Sequence, residues 1–85
     1  MRIDKYLKVS RILKKREVGK QLALNDRLYI NDKLAKASSE VKAGDVIKIE
    51  FGHREITIRV KEVRLVASKE QAFEMYEVIE ERKDN

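Results

Sequence analysis

Two short runs of alternating residues place the firmest limit on how this chain folds. Val46, Ile47, Ile49 and Phe51 precede Gly52-His53-Arg54; Ile56, Ile58 and Val60 follow it, interleaved with Glu55, Thr57, Arg59 and Lys61. A period of two with one apolar face predicts strands, and the glycine-containing turn between them predicts an antiparallel hairpin. The chain contains no proline to interrupt either strand. A lone hairpin is marginal in water, so the rest of the 85 residues must cover its apolar face. That length has room for one core and no second domain.

Ahead of the hairpin the period is helical. Ile3, Tyr6, Leu7 and Ser10 share one face, with Asp4 in the first turn where the helix dipole favours an acid, and this predicts a helix over 3–11. A second helix is expected over 15–24, with Val18, Leu22 and Ala23 turned inward. Gly19 lies inside it at a cost of about 1 kcal/mol relative to alanine, which fits a place where another backbone comes close. From Arg27 the period changes: Leu28 and Ile30 alternate with Arg27, Tyr29 and Asn31, predicting a half-buried strand. Asn31-Asp32 and Ala43-Gly44-Asp45 read as turns. Ser68-Lys69-Glu70-Gln71 has the spacing of a capping box, so a last helix should begin near Lys69. Ala72, Phe73, Tyr76 and Ile79 would form its apolar face and Glu70, Glu74, Glu77 and Glu81 another, with a frayed tail at 82–85.

Charge is distributed unevenly. The chain is +5 overall, yet residues 1–20 alone hold eight bases against Asp4 and Glu17, whereas residues 67–85 hold three bases and six acids. A concentrated basic segment is the electrostatic footprint of a nucleic-acid binder, the alternative being a solvated helix face. On helical spacing Lys8, Arg11 and Lys15 fall within about a turn of one another, as do Arg16 and Lys20. Arginine's planar fork suits bidentate contact with phosphate and lysine supplies a mobile point charge. Tyr6 and Tyr29 are candidates for stacking on unpaired bases, against the plainer role of core packing. Asn and Gln are scarce in the basic region, which points to reading of shape and backbone rather than base edges.

Other chemistry finds little support. There is no cysteine, which excludes a disulfide scaffold, thiolate catalysis and Cys-ligated zinc and fits a cytoplasmic location. His53 is the single histidine and sits in a turn, three scattered glycines form no phosphate loop, and no serine has a histidine near it in sequence. No apolar run exceeds three residues, so neither a membrane span nor a signal-peptide core is expected. The expectation is a binding protein without a catalytic site, metal or cofactor.

The ordered pieces Arg2-Ile3-Asp4-Lys5-Tyr6-Leu7, Lys15-Arg16, Leu22-Ala23, Arg27-Leu28-Tyr29-Ile30-Asn31, Lys36-Ala37-Ser38 and Val41-Lys42-Ala43-Gly44-Asp45 resemble the RNA-binding domain named after ribosomal protein S-four. With the hairpin and Ala67-Ser68, Ala72 and Tyr76, the whole chain is similar to the stand-alone members associated with the large ribosomal subunit. These are the heat-shock RNA-binding type and the ribosome quality-control protein P (RqcP) type, the latter nearer at 36–45 and Phe51-Gly52. The resemblance implies an α+β fold: two N-terminal helices packed on a small antiparallel sheet, plus a C-terminal helix. It implies an S-four-type domain with an extended hairpin over 1–66 and an acidic C-terminal helix packed on it over 67–85. It also implies binding to ribosomal RNA and tRNA on a large subunit blocked by peptidyl-tRNA, in support of the factor that tails stalled chains. Carried over by position, Arg2, Arg11 and Arg16 are the leading RNA contacts, with Lys5, Lys8, Lys14, Lys15 and Lys20 in support.

The sequence departs from the family pattern at four positions. Asp26 and Asp32 stand where glycine is usual, Gly19 where alanine is usual, and Lys15 where a Ser or Thr helix cap is common. The missing cap should cost the second helix about 0.5–2 kcal/mol while adding a base. Two further readings stand beside the first: a factor that recycles or assembles large subunits without tailing, and a basic amphipathic surface for anionic lipid or an acidic protein.

Overall fold

In the computed structural model, which describes residues 1–83, the alternating runs form strands β3 (Val46–Phe51) and β4 (Arg54–Val60). They pair antiparallel from Val46↔Arg59 to Phe51↔Arg54. Strand β1 (Leu28–Ile30) joins the free edge of β3 and carries β2 (Lys33–Leu34) on its other side. Strand β5 (Tyr76–Lys83) joins the other edge, giving an antiparallel sheet of order β2-β1-β3-β4-β5. Directly paired residues share a face, so Leu28, Ile49 and Ile56 form one apolar row and Ile30, Ile47 and Ile58 the next.

Helices α1 (Ile3–Val9) and α2 (Arg16–Leu24) cover those rows. Ile3, Tyr6 and Leu7 of α1 are completely buried with Leu28, Ile47, Ile49 and Ile58. Each such apolar side chain contributes about 1.5–3 kcal/mol by leaving water, enough to outweigh the cost of Gly19 in α2. A Cβ on Gly19 would stand 3.4 Å from the Cα of Asp4, so the two helix backbones do come close there. The inward stripe of α2 runs through Gly19, Leu22 and Ala23. Val18, expected inside, lies at its margin and is 41% exposed.

The turns follow from local chemistry. Asn31 (φ 49°) and Asp32 (φ 67°) both adopt left-handed backbone, as a tight two-residue turn between Ile30 and Lys33 requires. Asp26 (φ 58°) does the same after α2. Asn31 Nδ2 donates to buried Asp45 (3.2 Å), and Asn31 Oδ1 accepts from the Val46 N–H (2.9 Å), which ties the β1–β2 turn to the turn before β3.

The C-terminal region departs from expectation. The capping box forms: the Gln71 N–H donates to Ser68 Oγ (3.1 Å) and the Ser68 N–H to Gln71 Oε1 (3.0 Å). The helix it starts, α3 (Lys69–Phe73), nevertheless ends after five residues. Met75 is fully buried, and its carbonyl accepts from the Tyr6 hydroxyl (2.8 Å) and from the Lys61 and Glu62 N–H groups (2.8 and 3.2 Å). Beyond that anchor Tyr76, Val78 and Ile79 form β5 rather than a helix face, and Glu77 and Glu81 lie on the strand. The free edge of β4 and the strand preference of aromatic and β-branched residues overrule the helical period. Arg82 and Lys83, expected to fray, pair with Glu55 and Arg54, while the rest of that tail, 84–85, lies outside the described residues. The fold is α+β with two N-terminal helices on an antiparallel sheet, as expected, and a short C-terminal helix.

Candidate nucleic-acid interface

A buried carboxylate organises the basic surface. Asp4 sits in the first turn of α1 with no exposed area. Its Oδ1 accepts from the Lys5 N–H (2.8 Å) and from Arg2 Nε (3.2 Å), and its Oδ2 accepts from Arg2 Nη2 (3.2 Å). Arg16, at the start of α2, brings Nε to 3.1 Å from the same Oδ2. Burial alone would push this carboxyl up, but contact with Arg16, the Lys5 N–H and the charges of Arg16 and Arg2 outweigh it and hold Asp4 below the ordinary carboxylate value. Gly19 allows this close junction of helices, because a large side chain there would press on Asp4. Two guanidinium groups from different elements are thereby held on one carboxylate, Arg2 by hydrogen bonds and Arg16 by an ion pair whose geometry at the buried Nε falls short of a hydrogen bond, each a little over two-fifths exposed. Arg16 meets Asp4 through Nε, which leaves its two Nη groups outside this ion pair and suited to a bidentate phosphate contact.

The other predicted cations fall into separate places. α1 stops at Val9, and Arg11 takes left-handed backbone (φ 61°), so Lys8, Arg11 and Lys15 do not share one helix as their spacing suggested. Lys8 and Arg11 do meet at a cleft completed by Leu65, Val66 and Ala67. Lys14 and Lys15 are exposed in the link to α2, and Lys15 occupies the N-cap without a side-chain hydrogen bond, as its identity predicted. Lys5 is half-buried. Lys20 lies with Lys36 around an apolar hollow lined by Ala23, Leu24 and Ala37.

Sequence reasoning quoted Lys36 as part of a motif without counting it as a contact. Asp4 shows in the sequence as a helix-dipole partner and as part of the opening motif, not as the carboxylate that holds two arginines. The signal for Asp4 was present in the Arg-x-Asp opening followed by a distant Arg, but spacing alone could not show that Arg16 closes on it.

Neither tyrosine joins this surface. Tyr6 is completely buried, its hydroxyl donates to Met75, and burial pushes its ionisation well up. Tyr29 alternates with inward-facing Leu28 and Ile30 and stands on the far face of the sheet, where Lys48 Nζ lies 4.3 Å from its ring centre. The arrangement is a pair of arginines held on Asp4, with further cations in separate places around it.

Known proteins resemble the chain in sequence and in fold. Residues 1–47 match the family described as S4 domain. A protein of Bacillus subtilis (strain 168) named RQC P-site tRNA stabilizing factor is 45% identical over 83 residues, which is 98% of this chain and 96% of the relative. A protein of the same name from Streptococcus pneumoniae is 45% identical over 81 residues, 95% of this chain and 92% of the relative. Among solved structures, the trimeric Heat Shock Protein 15 of Vibrio cholerae superposes with a TM-score of 0.84 at 26% identity, covering 92% of this chain and 80% of that one. By its signature, its full-length relatives and its fold, the chain belongs to the S4 domain family, in the branch of the RQC P-site tRNA stabilizing factors.

Proposed function

We propose that this chain is an RNA-binding factor of ribosome-associated quality control, acting in the cytoplasm. In this reading it binds ribosomal RNA and P-site tRNA on large subunits obstructed by peptidyl-tRNA and supports the tailing of the stalled chain. It does so by binding and without catalysis. The observation that carries the reading is the pair Arg2 and Arg16 held on buried Asp4, in a chain whose relatives of nearly equal length bear the name quoted above. Two guanidinium groups pre-set by one carboxylate lose little freedom on meeting a phosphate, so binding is favoured over that of mobile lysines alone.

The test is co-sedimentation with purified large subunits carrying peptidyl-tRNA. Six phosphate contacts imply a log–log salt slope of about −4 to −5. Changing Arg2, Arg11 and Arg16 to alanine should flatten that slope by about 2–3 and abolish sedimentation at moderate salt. Unchanged sedimentation of the triple variant would refute the site.

The superposition on Heat Shock Protein 15 favours a second reading, a large-subunit factor acting without the tailing reaction. Deleting the gene distinguishes the two: loss of alanine tails on stalled chains supports the first, and persistence of tails supports the second.

A further inference from the structure

The cleft at the end of α1 combines two chemistries that a phosphate alone does not require. Its cationic side is Lys8 and Arg11, its apolar side is Val9, Leu65, Val66 and Ala67, and among the described residues no carboxylate lines its volume of about 280 Å³. Leu65 is 72% exposed and Val66 81%, so neither serves the core. The segment that presents them lies outside the stretch matched by the S4 domain.

This segment has no regular structure, yet it is tied at both ends. The Lys61 and Glu62 N–H groups donate to the Met75 carbonyl, and Ser68 caps α3. Between these ends Arg64 pairs with Glu62 (2.6 Å) and Glu74 (3.6 Å). The basic residue of the segment is thus neutralised within the fold, while its two aliphatic neighbours are held in water beside two cations. On the other wall Arg11 occupies the position after the α1 cap with a positive φ, where glycine would fit with less strain.

We infer that this cleft seats one unpaired or kinked nucleotide of the bound RNA. Lys8 and Arg11 take its phosphate, and Leu65 and Val66 lie against the face of its base. The inference rests on the RNA-binding reading above. Apolar side chains wedged against base faces are an established means of holding a distorted strand, and the contact tolerates any base because each presents the same kind of flat face. An anionic strand with apolar faces matches both walls; an acidic peptide would match the cations and leave the aliphatic pair uncovered. The tied loop lowers the ordering cost of the contact.

The test compares two variants on large subunits carrying peptidyl-tRNA across a salt series. Leu65→Ser with Val66→Ser should keep the thermal midpoint, since both side chains are exposed, and weaken binding roughly tenfold with the salt slope unchanged. Arg11→Ala should weaken binding and flatten the slope by about 0.7–0.9.

Unchanged affinity of the serine pair, with the Arg2, Arg11 and Arg16 triple variant still failing to bind, overturns the nucleotide seat and leaves the RNA-binding reading intact. If the triple variant binds as well, the RNA-binding site itself is refuted. Flotation with phosphatidylglycerol–phosphatidylcholine vesicles that is lost in the serine pair, without any change in subunit binding, overturns the inference in favour of a lipid surface.

Discussion

Asp4 shows how one side chain sets the properties of a surface it does not itself reach. Replacing it with asparagine keeps one acceptor but removes the charge that holds Arg2 and Arg16 together. Asp4→Asn should cost about 1–3 kcal/mol in thermal or urea unfolding, and should weaken binding to large subunits although no base is lost. Asp4 and Asp45 both have depressed ionisation; for Asp45, burial opposes the shift and its bonds with Lys42 and Asn31 outweigh it. Their contribution is therefore complete above the unfolded value near 3.9 and is lost as pH falls through the lower folded value, because the unfolded chain binds more protons in that window. The thermal midpoint should be level from about pH 7 to 5 and fall below about pH 4, less steeply in Asp4→Asn. Arg11 offers the opposite case. Left-handed backbone costs a non-glycine residue about 1–2 kcal/mol, so Arg11→Gly should stabilise the fold by up to about 1 kcal/mol while reducing subunit affinity. Calorimetry and sedimentation on the same variant would record the two opposite signs.

Secondary elements were legible where sequence pattern and local chemistry agreed. The β3–β4 hairpin has alternation and a turn, α2 and β1 have a clear change of period between them, and Asn31-Asp32 supplies the left-handed residues its turn needs. The start of α3 was readable from Ser68 and Gln71 because a capping box is local. Its end was not, since residues 72, 73, 76 and 79 satisfy a helical period equally well. What decides β5 is non-local: the open edge of β4 and three donors converging on the Met75 carbonyl. In the site, the identity of the basic residues could be read but not their grouping, because the left-handed turn at Arg11 breaks the helical spacing on which grouping was based. Leu65 and Val66 gave no signal, as a two-residue apolar step in an irregular segment has no period. Lys15 makes the element-level conflict testable. At the uncapped start of α2, Lys15→Ser should stabilise the protein by about 0.5–2 kcal/mol in chemical denaturation and remove one cation from the exposed link.

The described carboxylates of the acidic end pair with bases of the C-terminal half rather than with the N-terminal helices. Glu74 meets Arg64, Glu81 meets Arg54 at 2.9 Å, and Glu80 pairs with Arg82, so these carboxylates neutralise bases of the C-terminal half. Within residues 1–20 the buried counter-charge is Asp4, which pairs with both Arg2 and Arg16. The two halves are joined by the Tyr6 hydroxyl on the Met75 carbonyl. Tyr6→Phe should cost about 1 kcal/mol, since the Lys61 and Glu62 N–H groups still satisfy the carbonyl, and should act mainly by speeding unfolding in stopped-flow measurements. That bond spans 69 positions of the chain, and so distant a closure is entropically costly and slow to form. Order of assembly follows from it. Helix α1, which carries Asp4 and Lys8, gains this contact only when residue 75 has folded back onto it, so the tie between the two ends of the chain is among the last to close.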